Sequence, residues 1–359
     1  MGWIDADAHV VEGQHTWDYL DPSEQKYRPT LFDINPGSSK GGWYIDGKIR
    51  GLFFGDPNEE QFKEIEGFWG RNMATPKASR EARDLEARLR HMDELGIDTQ
   101  IVYPSIFLDQ CADRTAVDVA LCGAYNRWLA DVWKETKGRI RWMAVLPFSS
   151  IPDALDQMDF AKAHGACGVF MRPIEGTKLV NHPDFFPVYE KAAGWNWPIG
   201  LHQANGNANI VDFFSTPDGN REFFNQYRIF NVGAFFLVIQ AGLTKVFPGL
   251  KIGFIETAAS WVPWVTMELE SRRKMVTTGF SDNLLREYDL FVTCQSGDDV
   301  PYLVSRGYGD NLMIGTDYGH VDASTELDAL KVMAEGQALT EEQVRKIAED
   351  NARVFYGIA

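Results

Sequence analysis

Eight short apolar or β-branched runs, each bounded by turn residues and each followed by a stretch of helical periodicity, leave this chain few folds to choose from. The runs are 3–9, 97–105, 140–147, 166–173, 198–203, 251–257, 290–296 and 312–318. Helical patterns follow at 79–95, 113–136, 152–164, 183–193, 222–246, 260–277, 300–306 and 325–336. Parallel strands need crossover connections, and a regular eightfold alternation predicts a (β/α)8 TIM barrel, although an open doubly wound sheet follows the same alternation. A last helix is predicted over 340–355. It starts with Thr340-Glu341-Glu342-Gln343, a capping box that satisfies the first free N–H groups.

Residues 21–75 break the pattern. Within them Asp46-Gly47, set between alternating apolar residues, predicts a β-hairpin, so the expected architecture is a barrel with an inserted β-hairpin arm after strand 1. An arm leaving the carboxyl end of the first strand emerges where barrel enzymes place their active sites. It either covers the pocket there or forms an oligomer contact.

The 359 residues, 45% of them hydrophobic, suffice for one large core, and a single domain over 1–359 is expected. A formal net charge of -16 disfavours nucleic acid and anionic membrane as partners, which points to a small-molecule substrate. Cys111, Cys122, Cys167 and Cys294 are far apart and form no CxxC pair, so neither a disulfide framework nor a thiolate metal site is expected. With no signal-like leader and no apolar run of transmembrane length, the expectation is a cytoplasmic protein.

Chemistry concentrates at strand ends. Asp7 and His9 are two apart on the first run, so the pleat points both side chains the same way, and one cation can accept an oxygen and a nitrogen from them. Of seven histidines, His91 and His164 fall in helices and His15 and His182 in connections. His9, His202 and His320 are left at the ends of strands one, five and eight, accompanied by Asp7 and Asp317. An oxygen and nitrogen donor set suits zinc, manganese or ferrous iron.

With those residues in view, the chain resembles the amidohydrolase superfamily, in its amidohydrolase-2 branch of aminocarboxymuconate semialdehyde decarboxylase-like metal-dependent hydrolases. The resemblance runs over nearly the whole chain and is carried by Ile4-Asp5-Ala6-Asp7-Ala8-His9-Val10-Val11-Glu12, Gly200-Leu201-His202, Phe247-Pro248-Gly249-Leu250-Lys251, Phe254-Ile255-Glu256, Gly315-Thr316-Asp317-Tyr318 and Asn351-Ala352-Arg353. It implies Asp7, His9, His202 and Asp317 as ligands of one divalent metal ion, Zn, Fe or Mn, and a homo-oligomer. Two departures stand out. The first-strand pair is Asp7-x-His9 where the family often has His-x-His or Glu-x-His, and Glu256 stands where related decarboxylases carry an acid–base histidine.

Coordination to such a cation lowers the pKa of water from about 15.7 to about 7. The expected activity is therefore a metal-dependent hydrolase that uses metal-bound hydroxide to remove a substituent, of amide, lactone or nitro type, from a small cyclic or aromatic compound. Non-oxidative decarboxylation of an aromatic acid and a non-catalytic ligand-binding barrel are the alternatives. Asp317, Glu256 and His202 are the expected catalytic residues. Arg172, His320, Tyr103 and Gln295 are expected to contact substrate, with Arg172 binding an anionic substituent or neutralising Glu256, and Glu12 is a weaker candidate behind the ligand pair.

Overall fold

The computed structural model describes residues 2–34, 41–53, 55–215, 222–272, 283–336 and 338–358. All eight expected strands form: β1 (Trp3–Val10), β2 (Ile97–Pro104), β3 (Ile140–Val145), β4 (Ala166–Met171), β5 (Pro198–His202), β6 (Lys251–Ile255), β7 (Leu290–Cys294) and β8 (Leu312–Ile314). They form one eight-stranded sheet in chain order, with parallel pairing between neighbours, and Ala8 of β1 bridges in parallel to Tyr318 just past β8. This is a nearly closed (β/α)8 barrel. β4 to β8 are buried along their whole length, which is why they read as continuous apolar runs instead of alternating ones.

The described residues fall into two compact units: Gly2–Ala166 with Gly315–Leu330, and Cys167–Ile314 with Lys331–Ala359. In the first unit, Gly41–Ile45 and Lys48–Arg50 pair antiparallel around Asp46-Gly47, and Thr30–Asp33 adds a third strand. Both turn residues have positive φ, as a tight hairpin requires.

The strands end earlier than apolar patterning suggests, and at two of them for the same reason. The run predicted to reach residue 257 stops at Ile255 because Glu256 turns to φ 62°, and the run predicted to reach 318 stops at Ile314, ahead of Asp317 at φ 53°. Helix boundaries move likewise. The helix expected from 325 is Ala329–Gly336, because Thr325 and Glu326 spend their backbone N–H groups on Asp322 and Thr316. The one expected over 222–246 begins as a π-helical turn, Phe224–Arg228, continues as Ile229–Ala241 and is broken by left-handed Gly242 before Leu243–Val246. The helix expected over 260–277 is Val262–Ser271; its last expected residues lie outside the described ones. The capping box of Thr340 and Gln343 forms as expected, although a π-helical turn at Lys346–Asp350 interrupts that helix. Among the described residues no helix is long and apolar enough to cross a membrane.

Candidate metal centre

In the first unit, backbone pairing fixes the register of three expected ligands. Asp317 donates its N–H to the Asp7 carbonyl at 2.8 Å, and His9 donates its N–H to the Tyr318 carbonyl at 2.8 Å. Gly315 permits this closeness, since a Cβ there would lie 2.3 Å from Asp7 Cβ. Asp7, His9, Asp317 and His320 are all buried. His9 Nε2 lies 3.7 Å from Asp7 Oδ1 and 3.4 Å from Asp317 Oδ1.

The tautomer of His9 follows from its other nitrogen. Nδ1 is 3.1 Å from the Pro104 carbonyl, which can only accept, so Nδ1 carries the proton and the Nε2 lone pair faces the two carboxylates. Three electron-rich atoms facing one another in a buried place suit a shared cation, with separations wider than a good hydrogen bond and matched to ligands on one ion. A hard or borderline divalent metal fits this donor set.

His320 stacks on His9 with ring centroids 3.7 Å apart, and its Nδ1 lies 2.8 Å from Asp317 Oδ1. Its Nε2 is 2.8 Å from Ser105 Oγ, whose own proton goes to the Val10 carbonyl at 2.8 Å. Ser105 Oγ therefore accepts a hydrogen bond from Nε2–H. The remaining contact brings Nδ1 within 2.8 Å of Asp317 Oδ1, close enough for a proton to pass between them. Thr325 Oγ donates to the second Asp317 oxygen at 2.7 Å. Tyr103 is fully buried and tilted against His9, with ring centroids 6.3 Å apart.

Behind these residues lies a buried brace. Asp5 accepts from Thr316 N–H (2.8 Å), Thr316 Oγ (2.6 Å) and Gln100 Nε2 (3.0 Å), and burial pushes its carboxyl up to about 6 against those hydrogen bonds. Gln100 accepts from Arg88 Nε at 2.9 Å, and Arg88 Nη1 donates to the His9 carbonyl at 2.9 Å. The Arg88 guanidinium also lies over the Tyr318 ring, 4.5 Å from its centroid, so one fully buried cation touches both chain segments of this unit on which ligands are expected. Glu12 accepts the N–H groups of Ser105 (3.1 Å) and Ile106 (2.8 Å), and burial raises it to about 7 despite them.

In the second unit, His202 and Glu256 are buried, with Nε2 and Oε2 3.5 Å apart. His202 Nδ1 is 3.4 Å from the Gln203 carbonyl, the same inward tautomer as His9 though more weakly held. Gln203 Nε2 donates to Glu256 Oε1 at 3.1 Å, and Arg228 Nε donates to Gln203 Oε1 at 2.8 Å. Gln295 donates to the Glu256 carbonyl at 3.3 Å, which makes it a support of that turn. The charge of Arg172 is met by Glu175, which accepts from its N–H (3.0 Å) and its Nε (3.0 Å). Sequence patterning gave no sign of Thr325, Arg88, Gln203 or Arg228. Thr325, Arg88 and Arg228 sit inside helical periodicity, and Gln203, directly after His202, reads as the last residue of the fifth run.

The chain has counterparts among solved structures. It is similar to an amidohydrolase from Mycobacterium avium subsp. paratuberculosis at 20% identity and TM-score 0.75, covering 100% of this chain and 98% of that one. It is also similar to 5-carboxyvanillate decarboxylase from Novosphingobium aromaticivorans, solved with manganese and 4-hydroxy-3-methoxy-5-nitrobenzoic acid, at 16% identity and TM-score 0.68 over 99% and 96% of the two chains. A third is 2,6-dihydroxybenzoate decarboxylase from Rhizobium, at 15% identity and TM-score 0.62 over 99% of both. At such identities the likeness shows the fold alone. No curated protein matches the chain. The model of the amidohydrolase family Amidohydro_2, however, matches residues 4–358, and with that span the chain belongs to this family.

Proposed function

We propose that the protein is a metal-dependent hydrolase that removes an amide-, lactone- or nitro-type substituent from a small cyclic or aromatic compound. Asp7, His9, His202 and Asp317 would hold one divalent cation, Zn, Fe or Mn. The observation that carries this reading is the His9 Nε2 lone pair, aimed at two buried carboxylates by the Pro104 carbonyl. When bound, the cation supplies Lewis acidity and brings the ionisation of water to about pH 7.

The remaining work falls to side chains. Asp317 Oδ1 and His320 Nδ1 share a proton position, and His320 Nε2 leads on to Ser105 Oγ, so this pair can take a proton from attacking water and hold it away from the reacting atoms. Thr325 fixes the other oxygen of Asp317 so that only Oδ1 takes part. Glu256, with Oε1 committed to Gln203 and Oε2 toward His202, is the second proton acceptor and serves the leaving group.

Likeness to the two aromatic-acid decarboxylases supports a second reading, non-oxidative decarboxylation, in which the protonated Asp317–His320 pair delivers its proton to the ring carbon, the bond to the carboxylate breaks with loss of carbon dioxide, and water reprotonates the pair. Two measurements test these readings. Metal analysis of the purified protein should find close to one divalent ion per chain, and removing it with a chelator should abolish turnover; a metal-free protein of undiminished activity overturns both. With an active substrate in hand, uptake of oxygen-18 from labelled water into the product supports hydrolysis. Carbon dioxide release without that uptake supports decarboxylation.

A further inference from the structure

We propose that Arg228 is the receptor for a carboxylate on the substrate, a role that rests on His202 and Glu256 belonging to the reacting centre. The anion-binding part expected of Arg172 is thereby moved to another arginine, since Arg172 is already neutralised by Glu175.

The argument begins at Gln203, the residue after His202. Its amide is oriented by two partners of opposite kind: the oxygen accepts from Arg228 Nε and the nitrogen donates to Glu256 Oε1. The guanidinium is thus anchored through its inner nitrogen. Its two terminal nitrogens, the pair that forms the planar fork for a carboxylate, have no hydrogen bond or ion pair among the described residues. The amide also serves as a spacer that carries Arg228 and Glu256 on opposite arms.

A half-buried guanidinium with no acidic partner among the described residues is unexpected in a chain with 51 acidic and 35 basic side chains. Holding a cation partly out of water without a counter-charge is unfavourable, so such a place is built for an anion that arrives. The backbone beneath it is pinned for that purpose. Arg228 closes the π-helical turn Phe224–Arg228, a geometry that recurs at functional sites. Asn205 Nδ2 donates to the Gln226 carbonyl at 2.8 Å, Gln226 Nε2 donates to the Val211 carbonyl at 3.0 Å, and buried Tyr227 stacks on Phe223. Those contacts fix where the guanidinium stands before a ligand binds, which lowers the ordering cost of binding. The substrate class that follows is a small carboxylate-bearing compound, with Arg228 gripping the carboxylate while the bond to be broken lies toward His202 and Glu256.

Calorimetric titration of the full-length, manganese-loaded protein with benzoate, and with benzamide as its uncharged isostere, tests this. Arg228→Gln should weaken benzoate by about tenfold or more and leave benzamide unchanged, while Arg228→Lys should fall between. Unchanged benzoate affinity in Arg228→Gln, an equal loss for benzamide, or no benzoate binding by the unmodified protein at millimolar concentration would each overturn the assignment. Manganese content of the same samples reports separately on the metal reading: Arg228→Gln should keep its metal, and a wild-type protein that takes up none removes the proposed function instead.

Discussion

In the unit of Gly2–Ala166 and Gly315–Leu330, the candidate ligands are fixed by backbone, by hydroxyls and by a buried acid–amide–guanidinium brace from Asp5 through Gln100 to Arg88. In the unit of Cys167–Ile314 and Lys331–Ala359, the contacts of Glu256 run outward instead, through the Gln203 amide to a half-buried arginine. The first arrangement spends its polar groups on holding donor atoms still. The second keeps one charge available. On the proposed function, the first stretch supplies three of the four expected metal ligands, Asp7, His9 and Asp317, while the second supplies His202 together with the groups that would receive a substrate.

Four substitutions probe that division. The largest effect is expected for His9→Ala, which removes the one nitrogen facing both carboxylates: bound metal and turnover should both vanish, and a variant that retains stoichiometric metal by elemental analysis would show that the ion is held elsewhere. Next comes Arg88→Met, which strips the His9 carbonyl and Gln100 of a buried charged donor and should cost about 3–4 kcal/mol in urea unfolding of the metal-free protein. A loss below about 1 kcal/mol would mean that the brace carries no weight.

The third is a matter of pH. Glu12 keeps its proton up to about 7 in the folded chain against an ordinary value of 4.5, so the folded state binds more protons than the unfolded one between those values. Stability contributed by this group is therefore fully present below about pH 4.5 and is lost as pH rises toward 7, by up to about 3 kcal/mol. Glu12→Gln cannot ionise and should flatten that part of the stability profile, gaining on the unmodified protein at pH 8. Equal slopes for the two proteins between pH 5 and 8 would refute the cause given. The smallest effect belongs to Thr325→Val, which frees one oxygen of Asp317 and should weaken metal binding by about 10–100-fold with little change in unfolding of the metal-free protein. If Tm of the metal-free protein falls as much as affinity does, Thr325 is structural.

The strands were visible in the sequence because burial on both faces leaves runs such as 252–255 and 290–292 without a charged residue. The Asp7 and His9 pair was visible for a related reason, a period of two that needs no tertiary information. What stayed hidden depends on contacts between distant segments. Arg88 lies twelve positions from Gln100 in a helix whose surface charge pattern masks a fully buried guanidinium, and Thr325 looks like a helix start until its hydroxyl is seen on Asp317. Arg228 gives no signal at all, because a π-helical turn and an ordinary helix share the same local composition.

Glu256 and Asp317 both occupy the left-handed backbone region, which residues other than glycine and asparagine enter at a cost on the order of 1–3 kcal/mol. A glycine at either position would relax the chain while discarding the carboxylate. Selecting this protein for heat resistance alone should therefore enrich such replacements early, yielding sturdier barrels that no longer turn over.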